Sequence, residues 1–232
     1  MIERISVSEV GKDPEIIQLS YGMESANTYL IVSRGHAVIV DVCSEDVRDE
    51  LIRRGLIPDY VILTHEHVDH LWGLNAVRRE YPDLKVIAQE QCSMAIGNPK
   101  ANKAAEYHIY AVLRFGSDYN NKEALNRSYC CRRAEVEFEN SYVFNWENYS
   151  VEVIHTPGHS PGSCLVFFNN DRVFSGDTML NEDTFLRFNG GDEEQFTTVT
   201  IPVINAIKPD ADIFPGHGLP FRNNNWRKRT NG

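Results

Sequence analysis

The segment Thr64–His70 reads T-H-E-H-V-D-H and carries the side chains best suited to chemistry in this chain. Its three histidines and two carboxylates directly follow a short apolar run that predicts a buried strand. Alternation along an extended backbone sends His65 and His67 to the same side, so two imidazoles can reach one ion. Asp69 and His70 come from the turn and can reach a second ion beside it. Imidazole and carboxylate together suit Zn²⁺, with iron and manganese as competitors.

Three later ligand-type residues each follow a predicted strand inside a tight turn. They lie in the strings T-P-G-H-S-P-G, S-G-D-T and P-G-H-G. A lone His or Asp in such a turn is usually structural, but side chains delivered from several strand ends of one scaffold make a site. The first segment is not an H-E-x-x-H metalloprotease helix, because His70 lies five residues after His65. The pattern predicts these metal ligands: His65, His67, Asp69, His70, His159, Asp177 and His217.

The elements that must position these ligands alternate between strand and helix patterns. Strand-like runs precede the first motif, and a helical pattern spans about residues 45–54, with Ser44 as its N-cap candidate and Gly55 as its stop. A second batch of strands follows residue 133 and ends with a helix over about 193–207 and a last strand. Two such batches predict two sheets packed face to face with helices outside, a layered α/β arrangement. The polar stretch at about 98–133 is predicted to be an insertion that covers one face as a lid.

Length and composition exclude several classes of function. The 232 residues fit a single domain over the whole chain, and the net charge of −10 argues against broad nucleic-acid binding and against docking on anionic lipid. No apolar stretch is long enough to span a membrane, and the first residues do not have the pattern of a signal peptide. Five cysteines without C-x-x-C spacing indicate reduced thiols. We therefore expect a cytoplasmic protein with a small-molecule substrate, while the oligomeric state is not indicated.

Taken together, the motifs resemble the signature of the metallo-β-lactamase superfamily, H-x-H-x-D-H followed by separate His, Asp and His ligands. The resemblance extends from about Ser20 to Pro220. It implies a four-layer αββα sandwich with two divalent metal ions at one edge of the sheets. It also implies that Asp41, at the end of a predicted strand, orients a ligand from outside the metal's own shell. The implied ligand sets are His65, His67 and His159 for one ion and Asp69, His70 and His217 for the other, with Asp177 bridging both.

Such a site predicts metal-assisted hydrolysis. Two ions that share a water lower its pKa and give a bridging hydroxide nucleophile near neutral pH, so Asp69 and Asp177 have catalytic roles through the ions they hold. A serine nucleophile is not required. Ser160 and Ser163 lie near the predicted site, but no G-x-S-x-G elbow surrounds them, which favours a role in the turn.

The ligand loops resemble the glyoxalase II (hydroxyacylglutathione hydrolase) group most closely within the superfamily. That resemblance implies a thioesterase acting on a small anionic substrate. Arg187, in the loop after Asp177, is a candidate for holding an anionic group bidentately. Tyr107 and Tyr110, in a helical patch of the insertion, are candidates for lining the pocket.

Three alternatives remain open at this point. A lactonase of the same fold uses the same ligands. A mononuclear-iron enzyme resembling the persulfide dioxygenases is a second alternative, suggested by Cys164 five residues after His159. A non-catalytic binding protein with a relic site is the third, although every signature position is filled.

Overall fold

Two mixed β-sheets form the framework of the protein. The computed structural model describes residues 3–6, 13–21, 26–107, 109, 126–181, 186 and 190–230. The first sheet has the strand order β1-β2-β3-β4-β5-β6-β7 and the second has the order β13-β12-β11-β10-β9-β8. The strands of the first sheet are β1 (Glu3–Ser6), β2 (Glu15–Tyr21), β3 (Ala26–Ser33), β4 (His36–Val40), β5 (Ile57–Ile62), β6 (Lys85–Gln89) and β7 (Val136–Phe138). Those of the second are β8 (Ser141–Trp146), β9 (Tyr149–His155), β10 (Cys164–Phe168), β11 (Arg172–Gly176), β12 (Asp212–Pro215) and β13 (Phe221–Arg222).

Strand direction changes within each sheet. In the first sheet, β1 to β4 pair antiparallel and β4 to β7 pair parallel. In the second, β11 and β12 pair parallel and the other pairs are antiparallel. The carboxyl ends of β4 and β5, and those of β11 and β12, therefore lie side by side. This brings the loops that follow them to a common edge of their sheet.

Helices lie on both outer faces of the sheet pair. The outer face of the first sheet carries α1 (Asp46–Arg54), α2 (Leu74–Glu80) and α3 (Glu90–Ala95). The outer face of the second sheet carries α4 (Glu193–Gln195), a π-helical turn (Phe196–Thr200), α5 (Ile201–Ala206) and α6 (Asn223–Thr230). Among the described residues, no helix has the length and apolar character needed to cross a membrane.

Three apolar clusters separate four layers. Val47 and Leu74, from α1 and α2, pack with the outward residues of the first sheet. A middle cluster joins the facing sides of the two sheets. Within it, Tyr29 and Phe174 make an edge-to-face contact with their ring centroids 5.3 Å apart. A third cluster packs Ile204 of α5 on the outer face of the second sheet. The order helix, sheet, sheet, helix confirms the predicted αββα sandwich.

The sequence predicts the C-terminal end of α1 correctly and its N-cap incorrectly. Gly55 ends α1 at φ 64°, and its N–H donates to the carbonyls of the last turn, as a glycine stop predicts. The predicted N-cap at Ser44 is wrong by one residue, since Glu45 occupies that position without a side-chain cap bond. Ser44 Oγ instead accepts from the N–H of Asp46 at 3.2 Å, which closes a local turn before the helix.

The predicted helix at about 193–207 is present but not uniformly α-helical. Pro202 lies in the first turn of α5 and has no N–H to continue the α-helical ladder. The hydroxyls of Thr197 and Thr198 donate to carbonyls four residues back, at 2.8 and 2.7 Å. The wider π-turn just before the proline accommodates this missing donor.

The described ends of the predicted insertion at about 98–133 are built into the core. Asn102 and Tyr129 are buried, and the Tyr129 hydroxyl donates to the carbonyls of Leu71 and Trp72 at 2.7 Å. The Asn102 carbonyl accepts from the N–H of Val68, inside the segment Thr64–His70, at 2.9 Å. One end therefore contacts that segment, and the other contacts the residues directly after it. Residues 108 and 110–125 lie outside the described residues, so the lid itself stays a prediction.

Candidate metal centre

The predicted ligands all follow strand ends at one edge of the sandwich. His65 and His67 come directly after β5, and His159 follows β9. Asp177 is the residue after β11, and His217 lies two residues beyond β12. The structure brings these loops together, and the ligand-type residues form groups whose donor atoms lie within 4.8 Å of one another.

The first group consists of three buried histidines. His67 Nδ1 and His159 Nε2 face each other at 3.1 Å, and His65 completes the group. His65 Nε2 is buried without a hydrogen-bond partner among the described residues. A buried nitrogen without a partner is costly, so its orientation indicates a ligand position.

The second group consists of Asp69, His70 and His217. His70 Nε2 lies 3.3 Å from His217 Nε2 and 3.6 Å from Asp69 Oδ2. His217 Nε2 is 3.5 Å from the same carboxylate oxygen. Three donor atoms thus converge on one point from two separate loops.

Asp177 lies between the two groups. Its Oδ2 is 3.6 Å from His159 Nε2 and 3.5 Å from His217 Nε2, and its Oδ1 is 3.5 Å from His70 Nε2. Oδ1 is also buried without a hydrogen-bond partner within the described part of the chain. One carboxylate therefore contacts members of both groups.

These residues fit divalent metal ions. Nitrogen and oxygen donors at about 2.0–2.1 Å from a tetrahedral ion are separated by about 3.3–3.4 Å. His67 Nδ1 and His159 Nε2 in the first group are 3.1 Å apart, and the three donor pairs of the second group are 3.3 to 3.6 Å apart. Facing imidazole nitrogens and two converging carboxylates are also the ligand types that Zn²⁺, iron and manganese accept.

Asp41 lies behind the ligands and sets the protonation of two of them. It adopts a left-handed backbone with φ 57°, and its carboxylate accepts from Thr64 N–H at 2.8 Å and from Thr64 Oγ1 at 2.6 Å. The same carboxylate is 2.9 Å from His70 Nδ1. His70 therefore carries its proton on Nδ1 when neutral, which leaves the Nε2 lone pair for a metal.

Thr64 fixes the tautomer of His65 in the same way. Because its hydroxyl donates to Asp41, its oxygen is left to accept from His65 Nδ1, at 3.0 Å. The neutral imidazole then has its lone pair on Nε2, the buried atom without a partner. Asp41 thus orients one histidine directly and a second through the threonine.

The electrostatics of the metal-free groups are dominated by their own charges. For His70, burial lowers the pKa, but the carboxylates of Asp177, Asp69 and Asp41 outweigh it and raise the pKa to about 9. For Asp69, burial raises the pKa, while His70 and His217 bring it down to about 2. Burial and the neighbouring imidazoles hold the pKa of His65 well below its usual value. Asp69 and Asp177 are therefore ionised, and the raised pKa values of His70 and His217 favour their protonated forms.

Glycines allow the loops to approach one another this closely. A Cβ on Gly216 would lie 2.2 Å from Asp177 Oδ1 and 2.8 Å from His70 Cε1. A Cβ on Gly176, whose φ is +48°, would lie 2.4 Å from Thr64 Oγ1. Larger residues at these two positions would displace the ligands.

The predicted substrate residues are located less completely. Arg187 and Tyr110 lie outside the described residues. Tyr107 is partly buried and packs against the cluster between the first sheet and its helices. Sequence reasoning also missed the roles of Thr64 and Glu66, although strand alternation would have placed Glu66 on the side opposite the two neighbouring histidines.

The serine and cysteine candidates are engaged elsewhere. Ser160 and Ser163 are buried with their hydroxyls 2.8 Å apart, and Ser160 also donates to Glu66. Cys164 is fully buried in the cluster between the sheets, with its thiol donating to the carbonyl of Leu63 at 3.3 Å. Neither arrangement presents a nucleophile to a substrate.

Comparison with known proteins gives consistent matches. A Drosophila melanogaster protein named beta-lactamase-like protein 2 homolog is 26% identical over 84% of this chain and 59% of its own. A hydroxyacylglutathione hydrolase of Photorhabdus laumondii is 27% identical over 71% of this chain and 51% of its own. The chain therefore spans between half and three-fifths of the length of these two relatives. The crystal structure of BLEG-1 B3 metallo-beta-lactamase superposes with a TM-score of 0.73 at 22% identity, covering 90% of this chain and 95% of that one.

The profile of the metallo-beta-lactamase superfamily matches residues 21–217, which include all the candidate ligands described above. The strand order, the four layers and the position of the ligand loops agree with that match. On this combined basis, the chain belongs to the metallo-beta-lactamase superfamily.

Proposed function

We propose that this protein is a two-metal hydrolase that cleaves a thioester in a small anionic substrate. The observation that carries the proposal is Asp177, which contacts members of two ligand groups at 3.5 to 3.6 Å. The superfamily is one of metal-dependent hydrolases, and hydroxyacylglutathione hydrolases are among the relatives. We propose Zn²⁺ as the metal, with iron and manganese as the alternatives that the same donors accept.

The residues around the site prepare it for hydrolysis in three ways. Asp177, Asp69 and the five histidines would hold two divalent ions. When bound, such ions supply an activated water and a Lewis acid for the substrate carbonyl. Asp41 and Thr64 fix the imidazoles of His70 and His65 in the tautomers that ligation needs. Burial of most of these groups lowers the local dielectric, so charge that develops on the substrate is stabilised more strongly than in water.

The state of the serines and of Cys164 supports a water nucleophile over a side-chain nucleophile. The hydroxyl of Ser160 is committed to Glu66 at 3.0 Å. Cys164, the residue whose spacing suggested a persulfide dioxygenase, is buried, and its thiol donates to the Leu63 carbonyl. A lactonase remains the alternative that shares the proposed site.

We propose Arg187, Tyr107 and Tyr110 as the substrate-binding residues. A guanidinium in the loop after Asp177 can hold a carboxylate bidentately. The Arg187→Ala variant is expected to raise KM for an anionic thioester about tenfold or more, with kcat little changed, since it removes binding shared by ground state and transition state. The measurement is steady-state kinetics on an anionic thioester and on a neutral one of equal size. Equal effects on the two substrates would remove the assignment.

The remaining expectations about cellular context are also proposals. The five cysteines are free thiols, four of them buried, which supports a reducing, cytoplasmic environment. We propose that the protein acts as a single domain on a small molecule, without a nucleic-acid or membrane partner.

The experiment for the proposed function is a substrate panel run on protein of known metal content. S-lactoylglutathione, a simple acyl thioester, an acyl lactone and a phosphodiester would be compared, with oxygen uptake on glutathione persulfide measured in parallel. The proposal predicts turnover of thioesters above all others. Preferred lactone turnover would indicate the lactonase, and oxygen uptake with one iron per chain would indicate the dioxygenase.

A further inference from the structure

Glu66 is a buried carboxylate inside the metal-binding segment that belongs to neither ligand group. Its hydrogen-bond partners lie in the loop that carries His159. Its Oε2 accepts from Ser160 Oγ at 3.0 Å, and its Oε1 accepts from the N–H of Gly162 at 3.4 Å. Glu66 therefore ties together the two loops that supply the three histidines of the first group.

The loop held by Glu66 is a tightly closed unit. Ser163 Oγ accepts from the N–H of Ser160 at 3.1 Å and lies 2.8 Å from its hydroxyl. On the far side, a Cβ on Gly162 would lie 2.4 Å from the backbone nitrogen of Cys92, so the loop packs directly on α3. A turn with so little internal freedom transmits a displacement at Ser160 to His159, its neighbour in the chain.

Asn27 makes a separate set of contacts on the loop that carries His217. Its Nδ2 donates to the carbonyl of Pro215 at 2.9 Å and to that of Gly218 at 2.8 Å. Its backbone N–H donates to the carbonyl of Gly216 at 2.8 Å. The carbonyls on both sides of His217 are thus held by one fully buried asparagine.

Neighbouring side chains fix the amide of Asn27 in this orientation. Its Oδ1 accepts from Gln18 Nε2 at 2.9 Å and from Ser20 Oγ at 2.6 Å, so the amide nitrogen must face the loop. Tyr29 adds a parallel bond from its hydroxyl to the carbonyl of Pro215 at 2.7 Å. No residue of this network takes part in the described bonds of Glu66.

We propose that Glu66 and Asn27 are positioning residues that set the affinity of the two metal positions separately. Glu66 acts on the group of three histidines, and Asn27 acts on the group that contains His217. This inference rests on the proposed two-metal site but not on the identity of the substrate. Its distinctive consequence is a crossed pattern, in which each variant weakens one metal position and spares the other.

The experiment is a titration of metal-free protein with Co²⁺, followed by d–d absorption and by competition with a chromophoric chelator. The variants His159→Ala and His217→Ala assign the two affinities and the two absorption bands to their ligand groups. Glu66→Ala is expected to lower the affinity assigned to the first group about tenfold, and Asn27→Ala to do the same for the second. In each variant the other affinity should stay within about twofold.

Matched variants separate positioning from general loss of structure. Ser160→Ala removes the hydroxyl that Glu66 accepts from, and it should reproduce a smaller change at the first position. Glu66→Gln keeps one acceptor for that hydroxyl and should recover part of the affinity. Asn27→Asp keeps the acceptor but loses both donors to the loop, so it should resemble Asn27→Ala. If Glu66→Ala does not fold, Ser160→Ala tests the same contact.

The crossed pattern decides the inference. Equal weakening of both metal positions by either variant, or unchanged affinities in Glu66→Ala and Ser160→Ala, would overturn it. If the variants show the crossed pattern and wild-type protein binds two Co²⁺ ions but hydrolyses no thioester, the proposed substrate is contradicted and the inference stands. Wild-type protein that binds fewer than two ions would overturn both.

Discussion

The protonation of the ligands depends on a short chain of hydrogen bonds that ends at Asp41. The carboxylate accepts from the Thr64 hydroxyl and from His70, and Thr64 in turn accepts from His65. Because each bond fixes the next proton, two imidazoles in different ligand groups are held with their Nε2 lone pairs towards the site. One aspartate therefore orients a histidine in each of the two proposed metal positions.

The Thr64→Val variant tests this chain of protons. It keeps the shape of the buried side chain but removes the hydroxyl, so the tautomer of His65 is no longer fixed. We expect metal affinity at the first group to fall about tenfold. Thr64→Ser, which keeps the hydroxyl, is the matched control and should remain close to wild type. The measurement is the same chelator competition, and equal affinities in the two variants would contradict the role of the hydroxyl.

The raised pKa of His70 predicts how metal binding depends on pH. The metal takes the neutral imidazole, while the metal-free protein keeps His70 protonated below about pH 9 because of the three carboxylates around it. Affinity should therefore rise with pH throughout the range from 6 to 9, instead of levelling off near the ordinary histidine pKa of about 6.5. Asp69, with a pKa of about 2, stays ionised over this range and adds no slope.

Calorimetric titrations with Zn²⁺ in buffers of different ionisation enthalpy measure the protons released. At least one proton per chain should be released at pH 7.5. The variant Asp41→Asn removes one of the groups that raise the pKa of His70, so its affinity should level off at a lower pH. Absence of proton release at pH 7.5 would contradict the charge state derived for the metal-free site.

Strand ends determine which residues meet, and this part of the site was predictable. The motif after β5 and the three Gly/Pro turns each predict a ligand at the end of an apolar run. Parallel pairing places the carboxyl ends of neighbouring strands side by side. What the sequence could not predict is the contact between loops. Glu66 and Asn27 act through partners 94 to 191 residues away in the chain, and no local pattern reports such pairs.

The close approach of the loop after β12 at Gly216 can be tested by a single substitution. A methyl group there would lie 2.2 Å from Asp177 Oδ1, so the loop after β12 would have to move away from the site. Gly216→Ala is expected to lower metal content and to reduce turnover by about a hundredfold or more, as misplaced catalytic groups commonly do. Gly97→Ala is the control, because its nearest atoms lie at 3.5 and 3.6 Å. Normal metal content in Gly216→Ala would show that this close approach is not required.

At the scale of the whole molecule, the proposed metal site joins the two halves of the sandwich. The first group takes two histidines from the first sheet and one from the second, and the second group is divided in the same way. Bound ions would therefore cross-link the sheets in addition to the apolar cluster between them. Two divalent cations would also offset part of the net charge of −10.

Removal of the metals should therefore destabilise the fold. An ion whose free concentration is a hundredfold above its Kd stabilises the native state by about 2.7 kcal/mol per site if the unfolded chain does not bind it. We expect chelation to lower the Tm by several degrees, measured by calorimetry before and after treatment with EDTA and again after Zn²⁺ is restored. The Asp177→Ala variant should show a much smaller response. An unchanged Tm in wild-type protein would contradict cross-linking by the metals.

The central claim is that the two ligand groups hold metal ions and that these ions are needed for hydrolysis. Elemental analysis of wild type, His65→Ala and Asp177→Ala, run beside thioester turnover on the same samples, tests it most directly. The account predicts two metal equivalents and turnover in wild type, with metal content reduced and turnover abolished in each variant. Full metal content and full turnover in either variant would contradict it.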